Sequence, residues 1–492
     1  MYYISTRGGS EKKTSARVIK QGLAEDGGLF VPERIPTVSK DFIKKLAEED
    51  YAHRAADVLS LYLTDYTYDE LLSAATDAYK EESFGKYAAP VKSLDKTHKV
   101  LELWHGPTCA FKDMALQIMP RLLSTALKKT GEKRTALILV ATSGDTGKAA
   151  LEGYKDVDGV KIMVFYPEDG VSDIQKLQMA SQEGENVNVC AIKGNFDDAQ
   201  TGVKQIFSDT NIAKELDEKG YFLSSANSIN WGRLAPQIVY YFSAYCDLMN
   251  AGDITLGDEI DVCVPTGNFG NIFAAYLAKR MGLPVRRFIC ASNVNNVLTD
   301  FINTGIYDRN RQFHTTISPS MDILISSNLE RLLWLIQGEE KTAECMKLLK
   351  ETGKYEVSAE VREKIASEFT GCFASEDETK QTIAETFEKH SYLIDTHTAV
   401  ALFAAKKNAT DIPVVTASTA SPYKFAADVL SALTGNRDNG NDFFRILREL
   451  NAKTGAAVPR PLAALENKTR RFTTSVGKSK DEMFAEVAKF AD

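Results

Sequence analysis

Lys112 lies in the run Leu103-Trp104-His105-Gly106-Pro107-Thr108-Cys109-Ala110-Phe111-Lys112-Asp113, where a strand ends, Gly106-Pro107 turns the chain and Thr108 is placed to cap a new helix. That spacing puts Lys112 in the first helical turn, near the positive end of the helix dipole and between the apolar Phe111 and Met114. Both surroundings favour the neutral amine. A neutral amine is the form that attacks a carbonyl to make a Schiff base. A lysine near a helix start is also what a surface lysine looks like, so position alone leaves both readings open.

Three further loops carry polar groups that grip anions. Val262-Cys263-Val264-Pro265-Thr266-Gly267-Asn268-Phe269-Gly270-Asn271 reads as strand, glycine loop and helix. Backbone amides at a helix start cup a phosphate, and glycine lets it approach closely. The loop is neither GxGxxG nor GxxxxGK[ST], so dinucleotide and P-loop readings lose support; a plain strand-to-helix connection remains the alternative. The run from Ala141 through Thr142, Ser143, Gly144, Asp145, Thr146 and Gly147 follows a buried strand and offers hydroxyls and amides to a carboxylate or phosphate. Asn227, Ser228 and Arg233 stand close together in Ser224-Ser225-Ala226-Asn227-Ser228-Ile229-Asn230-Trp231-Gly232-Arg233, and an arginine fork suits a phosphate dianion. Helix capping by Thr142-Ser143 or Asn227-Ser228 and a surface arginine are the plainer readings of the last two loops.

The elements that position these loops alternate. Strands are expected over 100–103, 137–140, 162–166, 187–192, 261–264 and 414–416, with helices from about 111, over 148–154 and over 272–280. Such alternation gives a parallel α/β sheet, which places its sites in loops at the carboxyl ends of strands. Residues 1–95 read as a mainly helical N-terminal module, with apolar helical spacing over 42–46 and 55–63 and breaks at Gly27-Gly28, Pro32 and Pro36. Residues 300–390 read as a charged insert with amphipathic helices over 328–336, 341–350 and 380–389, for which solvated scaffold is the expected role.

The bulk numbers bound the class. The 492 residues suffice for roughly three domains. The formal charge of −8 argues against a nucleic-acid or anionic-membrane surface as the main task. The start, MYYISTRGGSEKK, has no apolar core of a signal peptide, and the most apolar run, 136–141, is too short to span a bilayer. Seven scattered cysteines read as reduced thiols, and the six histidines show no zinc spacing. A cytoplasmic enzyme is the expectation.

Taken together, the motifs resemble the threonine synthase family, in its longer variety. YYISTRGG (2–9) and GLAEDGGLFVPERIP (22–36) resemble that family's N-terminus; HGPTCAFKD, TSGDTG, NSINWGR, PTGNFGN, SPSMDI and DTHTAV resemble family motifs, in the family's order. The resemblance covers about residues 2 to 430. It implies pyridoxal-phosphate fold type II, similar to the tryptophan synthase β-subunit, with a parallel-sheet large domain (96–135 and 260–492, carrying the insert), a small domain (136–259) and the N-terminal module. It implies that Lys112 carries pyridoxal 5'-phosphate, that Gly267, Asn268, Phe269 and Asn271 hold its phosphate, and that Thr419 faces the pyridine nitrogen. Thr142, Ser143, Asp145 and Thr146 would line the substrate side, and Asn227, Ser228 and Arg233 would take a substrate phosphate. The implied reaction turns O-phospho-L-homoserine and water into L-threonine and phosphate, the last step of threonine biosynthesis. The alternative is a related phospho-lyase giving 2-oxobutyrate, phosphate and ammonia. A small-molecule substrate, a monomer or homodimer, and no nucleic-acid, membrane or metal partner complete the expectation. Two departures stand out: Asp145 occupies a place where many fold type II relatives have asparagine, and STASPYKF (418–425) has Ser421 and Tyr423 where the family commonly has a histidine and a small residue.

Overall fold

The computed structural model describes every residue except 143, 169–170 and 437–441. Among the described residues, two sheets organise the chain. The larger runs, strand by strand, Phe369–Phe373, Val285–Ser292, Ile260–Pro265, Val414–Ser418, His98–Glu102 and Val91–Ser93. All neighbours are parallel except the last pair, which is antiparallel. The smaller sheet runs Ser475–Val476, Val187–Ile192, Val160–Pro167, Thr135–Ala141 and Tyr221–Ser224, parallel throughout.

The strands are short apolar runs because both faces are covered. Val262, Cys263 and Val264 are fully enclosed, as are Leu137 and Ile138; this is the pattern of a parallel sheet flanked by helices on both sides. The helix Trp231–Asn250 is sunk between the layers, with seventeen of its twenty residues buried. Its neighbours include Lys40–Ala47, Tyr51–Ser60 and Gly270–Met281. The N-terminal segment is mainly helical, as expected, with a two-stranded antiparallel pair, Tyr3–Ser5 and Phe30–Pro32.

Three differences from the sequence reading have physical reasons. The chain end, assigned with the rest of 260–492 to the large domain, joins the smaller sheet instead. Ser475–Val476 pairs with Val187–Ile192, and Met483 and Val487 of the helix Lys480–Ala491 fill the apolar layer over Leu137, Leu139 and Phe165. The insert is more than scaffold. Its Phe369–Phe373 forms one edge of the larger sheet, and its short turn Pro319–Met321 reaches Lys112. The helix expected from 148 begins at Asp145, so Asp145, Thr146 and Gly147 occupy its first turn rather than a loop.

All seven cysteines are buried and unpaired. Among the described residues, no helix is long and apolar enough to cross a membrane, and no cluster of His, Cys, Asp and Glu could hold a metal ion.

Candidate functional site

Three adjacent strands of the larger sheet, Ile260–Pro265, Val414–Ser418 and His98–Glu102, end on the same edge. They release the glycine loop, the 419–425 loop and the lysine segment side by side. In the smaller sheet, Thr135–Ala141 and Tyr221–Ser224 are neighbours and release the 142–147 and 225–230 segments together. Parallel pairing is therefore what gathers five segments distant in sequence.

The lysine segment is pinned to the late loop by its backbone. Leu103 N–H donates to Ser418 O at 2.9 Å, Phe111 N–H to Thr419 O at 2.8 Å, and Ser421 N–H to Cys109 O at 3.0 Å. Thr108 does not cap a helix. Its N–H and hydroxyl both donate to the buried Asp113 carboxylate, at 2.8 Å each, and Lys112 itself stands at the N-cap of the four-residue helix Asp113–Leu116. The carboxylate wins because it satisfies two donors at once. Burial pushes Asp113 up to about 7 against those two bonds.

The Lys112 amine lies 5.4 Å from the centre of the Phe111 ring and donates to Ser320 Oγ at 3.3 Å. Burial is the largest influence on it and lowers its pKa; Asp145 and Asp113 oppose this, while Lys424 and Arg233 reinforce it. The shift toward the neutral form comes from desolvation, against Asp145 and with Lys424 and Arg233, rather than from a long helix dipole.

Asp145 forms a buried ion pair with Lys424 at 2.6 Å and accepts from Gln175 Nε2 at 2.9 Å. Burial alone would raise its pKa, but Lys424 and Lys112 outweigh that and hold it well below the usual carboxylate range. Thr142 Oγ1 accepts from the N–H groups of Gly144 and Gly147, at 3.0 and 2.9 Å, so this hydroxyl builds the loop. Thr146 is half-buried on the first helical turn, and Ser143 lies outside the described residues.

The glycine loop ends at Phe269, which caps Gly270–Met281 with a left-handed backbone, φ 62°. Among the described residues the amides of Gly267, Asn268 and Phe269 donate to no protein acceptor. Tyr241 donates its hydroxyl to Asn271 Oδ1, leaving Asn271 Nδ2 buried without a partner. Unpaired donors at a helix start form an anion cup.

Arg233 sits in the first turn of Trp231–Asn250 and is buried. Its Nη1 donates to Ala226 O at 2.5 Å, while its Nε is enclosed with no partner, and burial lowers its pKa to about 10. A half-satisfied buried guanidinium is a poor structural element and a good anion receptor. Ser228 is half-buried and Asn227 exposed. The helix cap is Asn230, whose Oδ1 accepts from Gly232 N–H at 2.9 Å, not Asn227 or Ser228. Asn328 Nδ2 reaches both Ser228 O, at 3.4 Å, and Asn268 O, at 3.0 Å, tying the Arg233 segment to the glycine loop.

The arrangement brings together a lysine amine whose pKa burial lowers, an anion cup and a half-satisfied guanidinium, which suits a carbonyl group and phosphate groups. The sequence reading missed Ser320, His397, Lys424, Gln175 and Asn328 as site residues. The first three stand in the motifs SPSMDI, DTHTAV and STASPYKF, which were visible in the sequence without a role for them.

Family models agree with the geometry. One described as Threonine synthase N terminus matches residues 2–79, one described as Pyridoxal-phosphate dependent enzyme matches 100–416, and one described as Threonine synthase, C-terminal matches 398–484. The threonine synthase of Pseudomonas aeruginosa is 40% identical over 443 residues, covering 88% of this chain and 91% of that protein. Human threonine synthase-like 1 is 42% identical over 452 residues, and the match spans only 60% of that relative's length. Among solved structures, the pyridoxal-phosphate-bound threonine synthase of Brucella melitensis superposes with a TM-score of 0.89 at 36% identity, covering 100% of this chain and 99% of the other. Yeast threonine synthase superposes with a TM-score of 0.88 at 32% identity, covering 99% and 98%.

Proposed function

The chain belongs to the threonine synthase family of pyridoxal-phosphate enzymes, and from that membership we propose that it converts O-phospho-L-homoserine and water to L-threonine and inorganic phosphate. The observation that carries this reading is Arg233, a buried guanidinium with an unpaired Nε whose charge is felt at Lys112. A substrate with both an amine for the cofactor and a phosphate for Arg233 satisfies both groups.

The residues fit the cofactor. The free amides of Gly267, Asn268 and Phe269 and the orphaned Asn271 Nδ2 would take its phosphate. Lys112 would hold its aldehyde, and Thr419 would face its pyridine nitrogen with a neutral hydroxyl. Bound there, pyridoxal phosphate supplies an electron sink for negative charge developed at the substrate's Cα.

Lys112, where its amine is free, would take the Cα proton, for which its burial-lowered basicity suits it. Arg233, with Asn227 and Ser228, stabilises the phosphate as it leaves Cγ. Asp145 and Thr146 line the substrate side; Asp145 stays ionised through Lys424 and orients groups rather than acting as an acid. The phosphate is expelled by the electron pair of a Cβ–H bond that breaks as it departs; Cγ then takes up a proton, water adds at Cβ, and Lys112 returns a proton to Cα.

A second reading rests on the threonine synthase-like relatives, which match as strongly as the synthases do. In this reading phosphate leaves but no water adds at Cβ, and hydrolysis at Cα releases 2-oxobutyrate and ammonia. One assay decides: purified protein with pyridoxal phosphate and O-phospho-L-homoserine, following phosphate, threonine and 2-oxobutyrate together. Threonine equal to phosphate supports the synthase; 2-oxobutyrate equal to phosphate supports the lyase; no phosphate overturns both.

A further inference from the structure

We propose that Ser320 is a catalytic residue whose hydroxyl docks the Lys112 amine whenever that amine is free, and that the buried Asp395–His397 pair is the positioning device that holds the dock. The proposal rests on Lys112 being the lysine that carries the cofactor.

Ser320 is fixed from three directions. Its N–H donates to His397 Nε2 at 3.0 Å. An amide can only donate, so Nε2 must be unprotonated and the ring proton must sit on Nδ1. There it is taken by Asp395 Oδ1 at 3.0 Å, within a pair that is almost wholly enclosed. Asp395 is itself held by the N–H of His397, at 2.8 Å, and by the hydroxyl of Thr398. On the second side, the Ser320 carbonyl packs so closely on Gly267 that a Cβ there would stand 2.6 Å from it. On the third, the turn's flank is braced by Asp322, which accepts from Thr316 N–H at 2.9 Å and from Asn293 Nδ2 at 2.7 Å.

The hydroxyl itself is what separates a dock from a loop brace. Thr316, Ser318 and Ser326 spend their hydroxyls on the loops around them. Ser320 Oγ, among the described residues, has one partner, the Lys112 amine. A serine hydroxyl accepts from an ammonium and donates to a neutral amine. It can therefore hold Lys112 in place both before and after the amine takes a proton. In that transfer the Cα–H bond breaks, its electron pair stays with the substrate, an N–H bond forms on Lys112, and the ammonium, whose protons exchange with solvent, later gives a proton back to Cα. The charged groups facing the amine are Asp145 and Asp113, which favour its charged form, and Lys424 and Arg233, which oppose it.

The test has two readouts. In cofactor-free protein, the rate at which pyridoxal is captured as a function of pH reports the neutral fraction of Lys112. In loaded protein in D2O, exchange of the α-proton of L-2-aminobutyrate, which has no leaving group, reports proton transfer alone. Ser320→Ala is expected to move the capture midpoint to lower pH, because the ammonium loses its acceptor, and to slow α-exchange roughly tenfold or more. Ser320→Thr keeps the hydroxyl and stays near wild type. His397→Gln, whose carbonyl still accepts the Ser320 amide, stays near wild type, and His397→Leu reproduces Ser320→Ala. Wild-type behaviour of Ser320→Ala in both readouts overturns the proposal. If Ser320→Ala does not fold, the contrast between His397→Gln and His397→Leu decides, and equal behaviour of those two overturns it. If wild-type protein itself exchanges no α-proton, the reading of Lys112 as the base fails, and the capture midpoint still decides for or against Ser320.

Discussion

Asp145 Oδ1 lies 2.6 Å from Lys424 Nζ, and both side chains are cut off from solvent. The pair sits between the smaller sheet's first helical turn and the late loop of the larger sheet. Lys424 also donates to Thr108 O at 3.1 Å, so one ammonium fastens the substrate-side helix to the lysine segment. Removing one member of such a pair strands the other charge. Lys424→Met is therefore expected to cost about 3–5 kcal/mol of stability, measured by urea denaturation. Asp145→Asn combined with Lys424→Met should restore most of it, because no buried charge remains. The pH dependence should change sign. In wild type, Asp145 is depressed below its ordinary 3.8, so its contribution is present above that value and lost as pH falls further. In Lys424→Met, burial raises Asp145, and stability falls as pH rises through the carboxylate range.

Arg233 gives a prediction about selectivity between two phosphates. Its unpaired Nε and the Asn227–Ser228 segment lie on the smaller-sheet side, whereas the free amides of the glycine loop lie on the other. Arg233→Ala should raise KM for O-phospho-L-homoserine on the order of ten- to hundredfold, the worth of a hydrogen bond to a charged group of about 1.5–3 kcal/mol. Affinity for pyridoxal phosphate should barely move. Equal losses in both would place Arg233 with the cofactor instead. Arg233→Lys should recover little, since an ammonium cannot bond Ala226 O and a phosphate in the same fork.

Much of this site can be read from contiguous sequence. Lys112 follows its turn, and the amides of Gly267, Asn268 and Phe269 follow one strand, so the chemistry and its position share one stretch. What escapes is what depends on pairing across the fold. Lys424 stands between Tyr423 and Phe425 with nothing local to show that its partner is Asp145. Ser320 lies in a charged insert whose ordinary role is scaffold, and only the packing of that turn on Gly267 brings it to Lys112. The Thr108 cap failed for a similar reason. The hydroxyl and the amide of one residue both found Asp113, a competitor five residues on that propensity does not rank.

Asp113 offers a test by pH alone. Burial raises it from 3.8 to about 7. For an acid whose folded-state value is raised, the folded form binds the extra proton. The stabilisation is then full below about pH 4 and is lost as pH rises through about 7. Asp113→Asn cannot titrate, yet its amide can still accept from Thr108. Unfolding free energies measured from pH 4 to 8 should therefore fall less steeply in Asp113→Asn than in wild type. Parallel curves would show that Asp113 is ionised throughout that range in the folded protein.

Gly267 carries the sharpest steric prediction. A Cβ built on it would stand 2.6 Å from the Ser320 carbonyl oxygen and 3.6 Å from Met321 Cα, both backbone atoms that no side-chain rotation can clear. Gly267→Ala must push the Pro319–Met321 turn away, and the turn is held by His397 through the Ser320 amide and by Met321 N–H to Ser318 O at 3.0 Å. Because Gly267 also supplies one of the three free amides, the substitution disturbs the anion cup and the Lys112–Ser320 contact together. Pyridoxal phosphate should bind more weakly to Gly267→Ala, and the pH midpoint of pyridoxal capture should shift. Gly435→Ala, at a helix end where a Cβ meets nothing within 4 Å but φ is 72°, serves as the comparison for backbone strain without collision. It should lose stability while keeping cofactor affinity. If Gly267→Ala also keeps wild-type cofactor affinity, the turn yields at little cost and is not the rigid wall of the site that this packing describes.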